Sequence, residues 1–367
     1  MKYLHWSFSI FLLIAFGCTE KKQMEETYSL FVGTYTNGQS EGIYKLDFNP
    51  NSGSLDSTQL MAVLPNPSFL TFSSDKQYLY AVQETADFDS LGGGVTSFSL
   101  EDGILKELNS KGTGGAHPCH VAYSEEGQIA VSNYTGGNLT VFDVEADGSL
   151  GKSQRIDHKV LDTTKAPHVH KAHFNDDGLF ASDLGLDGIK RYFKKDSIWE
   201  AAHQSSIDLP EGAGPRHFVF NVDRSFLYVI NELNATITVF KRDDEGSYNP
   251  IQTENTLAPD WDGGKSCADI HLSPDGHFLY GSNRGENTIV IFSVDKNTGK
   301  INLVAREPVR GDWPRNFTLD PSGQFLLVAN ERSSNISVFK RDKEKGTLEF
   351  VSAMDFPNPV CLLFLEN

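Results

Sequence analysis

Five histidines and at least three arginines sit at recurring positions where apolar, period-two stretches begin or end. The openings read His117-Pro-Cys-His120, Pro167-His-Val-His170, Gly214-Pro-Arg-His217, Ser266-Cys-Ala-Asp269 and Trp313-Pro-Arg-Asn316. The endings read Gln83-Glu84, Asn133-Tyr134, Ser182-Asp183, Asn231-Glu232, Asn283-Arg284 and Asn330-Glu331-Arg332. Wherever these positions converge, the chain gathers imidazole, guanidinium and carboxylate groups. Guanidinium grips carboxylate or phosphate with paired hydrogen bonds, so the composition is that of a local anion site. The formal net charge of the chain is −17, which makes that enrichment local. The same residues also admit a structural reading, with Pro-Arg and Pro-His as strand entries bonded to a neighbouring carbonyl. Glutamate recurs at Glu84, Glu232 and Glu331, as a position serving the repeat would; Arg284 breaks that pattern in its own copy.

The elements that must position these groups repeat. Asp269 to Phe292, DIHLSPDGHFLYGSNRGENTIVIF, reads strand, turn, strand, turn, strand. The alternation in HFLYGSN and TIVIF is that of half-buried strands. Ser273-Pro-Asp-Gly276 is tight-turn chemistry, with Pro presetting φ and Gly accepting positive φ. Asp275 has counterparts at Asp75, Glu126, Asp177, Asp223 and Ser322, spaced 46 to 52 residues apart. Each copy adds a third strand with Phe or Tyr, and most close with Gly and a weaker fourth strand, as at Gly148-Ser-Leu and Gly346-Thr-Leu. A fixed period of this length with four short strands per unit predicts a β-propeller.

Six copies are complete. Residues 28–60 supply strands two to four of another, and Asn358 to Leu365 supplies a lone first strand. The expected fold is therefore all-β: a seven-bladed propeller of four-stranded blades, closed by N- and C-terminal strands sharing one blade, which leaves no open edge. In each blade strand one runs antiparallel to strand two. The openings and endings named above then meet at one mouth of the central channel.

The chain ahead of the ring reads as an export signal. Met1-Lys2 is basic, FSIFLLIAF is an apolar core too short to span a bilayer, and Gly17-Cys18 follows. It is similar to a bacterial lipoprotein signal, with Ala15 where Leu is usual. The expected organisation is a signal over 1–18 with lipidation at Cys18, a polar tether over 19–27 and the propeller over 28–367. The protein is then exported and held in the cell envelope, touching membrane only through the lipid. No basic stripe is present for a nucleic-acid partner. Cys119, Cys267 and Cys361 read as small buried residues. His117/His120 and His168/His170 have spacings that could ligate zinc, but no ligand motif of recognised spacing accompanies them, and neither metal nor cofactor is expected. There is no phosphate-binding Gly loop or nucleophilic-serine elbow.

The segments LFVGTYTNGQSEGIYKLDF, NPSFLTFSSDKQYLYAVQE, HPCHVAYS, PHVHKAHFNDDG, GPRHFVF, SPDGHFLYGSNRGENTIVIF and WPRNFTLDPSGQFLLVANE resemble, blade by blade, the lactonase family of seven-bladed propellers. That family includes the propeller-type 6-phosphogluconolactonases, with fungal 3-carboxy-cis,cis-muconate cyclase a relative. The resemblance implies a cofactor-free hydrolase acting on a small lactone. It implies catalytic positions at His170, Arg216, Glu232 and Arg284, with His168 the alternative within PHVH. His117, His120, His168, His217 and Arg315 are the expected substrate-binding residues around them. On this reading Glu232 or His170 deprotonates water, the other orients it, and Arg216 and Arg284 hold the oxyanion and the substrate's anionic group. The alternatives are a muconate-type lactonising cycloisomerase and a non-catalytic binding scaffold.

Overall fold

The turn chemistry of the repeat is realised in detail. Ser273 Oγ donates to Asp275 Oδ1 at 2.6 Å, and the same oxygen accepts from the His277 amide at 2.9 Å. The Phe278 amide then donates to Ser273 Oγ at 3.0 Å, launching the next strand. The computed structural model describes residues 1–3 and 27–365. They form seven four-stranded antiparallel sheets. Blades 1 to 6 cover residues 70–112, 118–157, 169–208, 215–255, 267–308 and 314–355. Blade 7 joins Tyr28–Thr34, Gly42–Phe48 and Leu55–Val63 to the C-terminal strand Pro359–Leu365. Leu30 pairs with Phe364 across that seam and Val32 with Leu362, so the ring closes as expected. Apart from residues 1–3 and 27, the expected signal over 1–18, its lipidated Cys18 and the tether over 19–27 lie outside the described residues.

One expectation is corrected. The second strands are not half-buried: Phe278–Asn283, Phe325–Asn330, Phe226–Asn231 and Gln128–Asn133 are buried at every position. A blade presents both faces to neighbouring blades, so a middle strand has no solvent face. The outward polar face appears instead on fourth strands such as Leu55–Val63.

Neighbouring blades are tied by a repeated device. Tyr80, Tyr228 and Tyr280 each donate a hydroxyl hydrogen bond to the carbonyl of Gly148, Gly299 or Gly346 in the next blade, at 2.9 to 3.1 Å. These are the closing glycines of the repeat. Each has positive φ, and a Cβ there would sit 2.1 to 2.2 Å from an aromatic ring of the preceding blade. Both the turn and the close approach require glycine.

A further regularity concerns the channel. The first strands of blades 2, 3, 4 and 6 each carry a register shift that leaves one residue unpaired with strand two: Cys119, His170, Arg216 and Arg315. Blade 7 shifts likewise at Val360. A β-bulge bends the strand and re-aims the extra side chain. These five residues line one internal cavity.

Candidate functional site

The register confirms that strand-one openings and strand-two endings share one rim. Pro118 pairs with Asn133, Pro215 with Asn231, Cys267 with Asn283 and Pro314 with Asn330. The residue after each ending asparagine therefore projects beside a bulged residue. In blade 4 this brings Glu232 to Arg216, and Arg284 of blade 5 reaches the same carboxylate.

Glu232 Oε2 lies 3.0 Å from Arg216 Nε, and Oε1 lies 2.9 Å from Arg284 Nη2. The Arg216 contact is ionic, because its Nε–H has no aligned acceptor. Arg216 is 2% exposed and donates from Nη1 to the Ala268 carbonyl at 2.5 Å. Arg284 donates to the carbonyls of Cys267 and Ser266 at 3.0 and 3.3 Å and lies 5.2 Å from the centre of the Trp313 ring. Burial, and then the charges of Arg284 and Arg315, lower the Arg216 guanidinium to about 10, with Glu232 opposing. Two cations crowded on one carboxylate leave a local excess of positive charge, which favours an arriving anion.

His170, at the equivalent bulge of the neighbouring blade, is buried beside Arg216 on the same cavity, with its Nδ1 unpartnered. Burial first, and Arg216 second, hold this imidazole well below its usual range, so it is neutral. His168 is stacked on Tyr134 at 4.5 Å, with Nδ1 at 3.1 Å from the Tyr134 carbonyl. The geometry thus separates the two histidines of PHVH: His170 lines the cavity, and His168 lies outside it, on an outer depression with Thr135 and Pro167.

The remaining expected residues divide. His117 stays on the outer rim, bonded to Thr135 Oγ1 at 2.8 Å. His120 is buried against Phe69 at 4.1 Å, one layer deeper in the channel. His217 lies in that deeper layer too, its Nδ1 2.6 Å from Asp269 Oδ1. Arg315 faces a different neighbourhood. It lies 3.7 Å from Glu84 and over the Tyr35 ring at 5.1 Å, and Tyr35 donates to Glu84 at 3.0 Å. Burial opposes the Arg315 charge, but Tyr35, Glu84 and Glu331 together raise its pKa. One side of the mouth is therefore cationic and the other carries two carboxylates around one arginine.

Asp269, Glu84, Tyr35 and Trp313 were not among the expected site residues. Asp269 had a sequence signal. Aligned on the bulge, its position holds Phe69, His120, Lys171, His217, Asn316 and Cys361 in the other blades, so it is the single carboxylate there. Cys119, Cys267 and Cys361 are buried and free, and burial raises each thiol. Among the described residues no group of three or more His, Cys, Asp or Glu side chains is placed to hold a metal ion. A surface depression lies at the opposite mouth, among the strand-one to strand-two turns, lined by Ser73, Glu126, Asp177 and Arg224.

A family model described as "Lactonase, 7-bladed beta-propeller" matches residues 29–364. A 6-phosphogluconolactonase of Bacillus subtilis is 34% identical over 351 residues, covering 93% of this chain and 99% of that protein. A 6-phosphogluconolactonase of Formosa agariphila is 37% identical, covering 79% and 86%. The structure of the periplasmic gluconolactonase of Pseudomonas aeruginosa superposes with a TM-score of 0.87 at 33% identity, covering 93% of this chain and 99% of that one.

Proposed function

The chain belongs to the lactonase family of seven-bladed β-propellers, and from that premise we propose that it hydrolyses a sugar lactone at the rim formed by Arg216, Glu232 and Arg284. The observation that carries the site assignment is the shared carboxylate: Glu232 holds two guanidinium groups, and one of them, Arg216, lines a cavity with a buried, neutral His170.

The chemistry follows from what each group has free. Both Glu232 oxygens face arginines, so Glu232 sets the guanidinium planes and proton abstraction falls to His170. His170 removes a proton as water adds to the lactone carbonyl. Arg216 and Arg284 stabilise the tetrahedral oxyanion and any phosphate or carboxylate on the substrate. Collapse breaks the ring C–O bond, and the proton on His170 passes to the leaving alkoxide.

The acidic half of the mouth favours a polyol over a polycarboxylate. Glu84 and Glu331 accept hydroxyl hydrogen bonds and repel a second carboxylate, which argues against the muconate-type alternative. We also propose export and lipid anchoring at Cys18, on the leader composition alone. An envelope enzyme meets non-phosphorylated lactones, in keeping with the periplasmic gluconolactonase among the structural relatives.

The test is turnover of glucono-1,5-lactone, its 6-phosphate and a carboxymuconolactone, corrected for spontaneous hydrolysis. Enzymatic hydrolysis of either sugar lactone supports the reading. Turnover of the muconolactone alone, or of none, contradicts it.

A further inference from the structure

Two ring nitrogens buried in the channel lack partners: His170 Nδ1 and His217 Nε2. Both residues are over nine-tenths buried, at 4% and 3% exposed. Their rings lie 5.1 Å apart at 71°, and both line the cavity shared with Cys119, Arg216 and Arg315. An unpaired buried nitrogen carries an uncompensated desolvation cost. Two such atoms on one small cavity point to a common partner.

The hydrogen positions on His217 follow from Asp269. Asp269 Oδ1 faces His217 Nδ1 at 2.6 Å and accepts from the Ile270 amide at 2.9 Å. Its Oδ2 accepts from Asn316 Nδ2 at 2.6 Å and faces His271 Nε2 at 3.0 Å. The flanking histidines His271 and His217 outweigh burial and keep this carboxylate ionised. An ionised carboxylate only accepts, so His217 Nδ1 carries the hydrogen. Burial lowers His217 to about 3, so the ring is neutral and Nε2 presents a lone pair alone.

The cavity that both rings line measures ≈ 10 Å³, about the space of one water molecule. We propose that a single buried water bridges His217 Nε2 and His170 Nδ1, and that Asp269 and His217 are positioning residues which fix the tautomer of His170 through it. The water donates to His217 Nε2 and accepts from His170 Nδ1–H. The His170 ring then turns a bare Nε2 toward the rim. The order is Asp269, His217, water, His170, with a proton acceptor at its end.

This inference rests on the hydrolase reading for its kinetic consequence, but the tautomer can be read without turnover. In the whole protein labelled with 15N-histidine, NMR should show His170 protonated at Nδ1 and bare at Nε2. His217→Phe removes the acceptor and should mix the His170 tautomers. It should also lower kcat on the responsive sugar lactone by about 10- to 100-fold, with KM changed less than about twofold. His217→Gln, which restores an oxygen acceptor, should recover most of that loss. If His217→Phe fails to fold, the wild-type spectrum decides alone. A wild-type His170 protonated at Nε2 overturns the relay, as does a folded His217→Phe with unchanged kcat. Absence of any Arg216-dependent lactone turnover overturns the hydrolase reading instead, and leaves the tautomer result to stand on its own.

Discussion

Glu232 and Arg284 come from adjacent blades, yet their side chains meet at 2.9 Å across the rim. Neither residue is needed to form its own strand, since both follow the asparagine that ends one. The contact exists because every blade turns the same end of strand two to the same mouth. The repeat supplies the position, and two copies fill it with opposite charges. Arg216 completes the group from a bulge in the strand beside Glu232.

Glu232→Gln should separate function from folding. The amide keeps an acceptor for one arginine but removes the charge that holds both. We expect kcat/KM on the responsive lactone to fall by about 100-fold, with a melting-temperature loss of a few degrees, since the side chain is 19% exposed. Steady-state kinetics beside a thermal melt checks this. A variant that melts normally and turns over normally would remove Glu232 from the site.

Stability should decline on mild acidification. His120, His170 and His217 are all buried and neutral, with folded pKa values lowered by burial from 6.5. Below about 6.5 the unfolded chain binds protons that the folded chain refuses. Their contribution is complete above that pH and is lost as pH falls toward the folded values. Each such histidine adds a slope of about 1.4 kcal/mol per pH unit. Urea melts between pH 7.5 and about 5 measure it, and His120→Phe, which can keep the packing on Phe69, should make the dependence shallower. Stability independent of pH across that range would contradict the assigned neutrality.

Much of this fold was legible because the repeat states it six times, and the two terminal fragments complement each other. Arg284 was legible for the same reason, as the residue that breaks a recurring glutamate position; Arg216 and Glu232 sit where the repeat also places Arg315, Glu84 and Glu331, and only the family resemblance singled them out. The layer beneath was less so. Nothing local distinguishes His217 from a rim histidine; its neighbour Asp269 is 52 residues away. The bulges were also hidden, since one unpaired residue leaves the apolar pattern almost intact. Second-strand burial was misjudged because alternation cannot reveal a second blade covering the other face.

Asp183 is a departure that the structure explains. Four other blades have Asn at this position: Asn133, Asn231, Asn283 and Asn330. Asp183 Oδ1 accepts from the amides of His168, Gly185 and Leu186, and Oδ2 lies 2.7 Å from His158 Nδ1, with both side chains fully buried. The other His158 nitrogen lies 2.8 Å from the Tyr192 hydroxyl. His158→Leu strands this carboxylate and should cost about 3–5 kcal/mol. Adding Asp183→Asn, the residue the other blades use, should recover a large part of it. Chemical denaturation of the single and double variants reads the coupling, and simple additivity would contradict the account.

The most direct measurement is kcat/KM of wild type, Arg216→Ala and Arg284→Ala on the best sugar lactone, each protein first shown to be folded. Both arginines are assigned to the developing oxyanion and the substrate anion. Each single loss should therefore lower kcat/KM by about 100- to 1000-fold. Wild-type rates in both folded variants would contradict the assignment of hydrolysis to this rim.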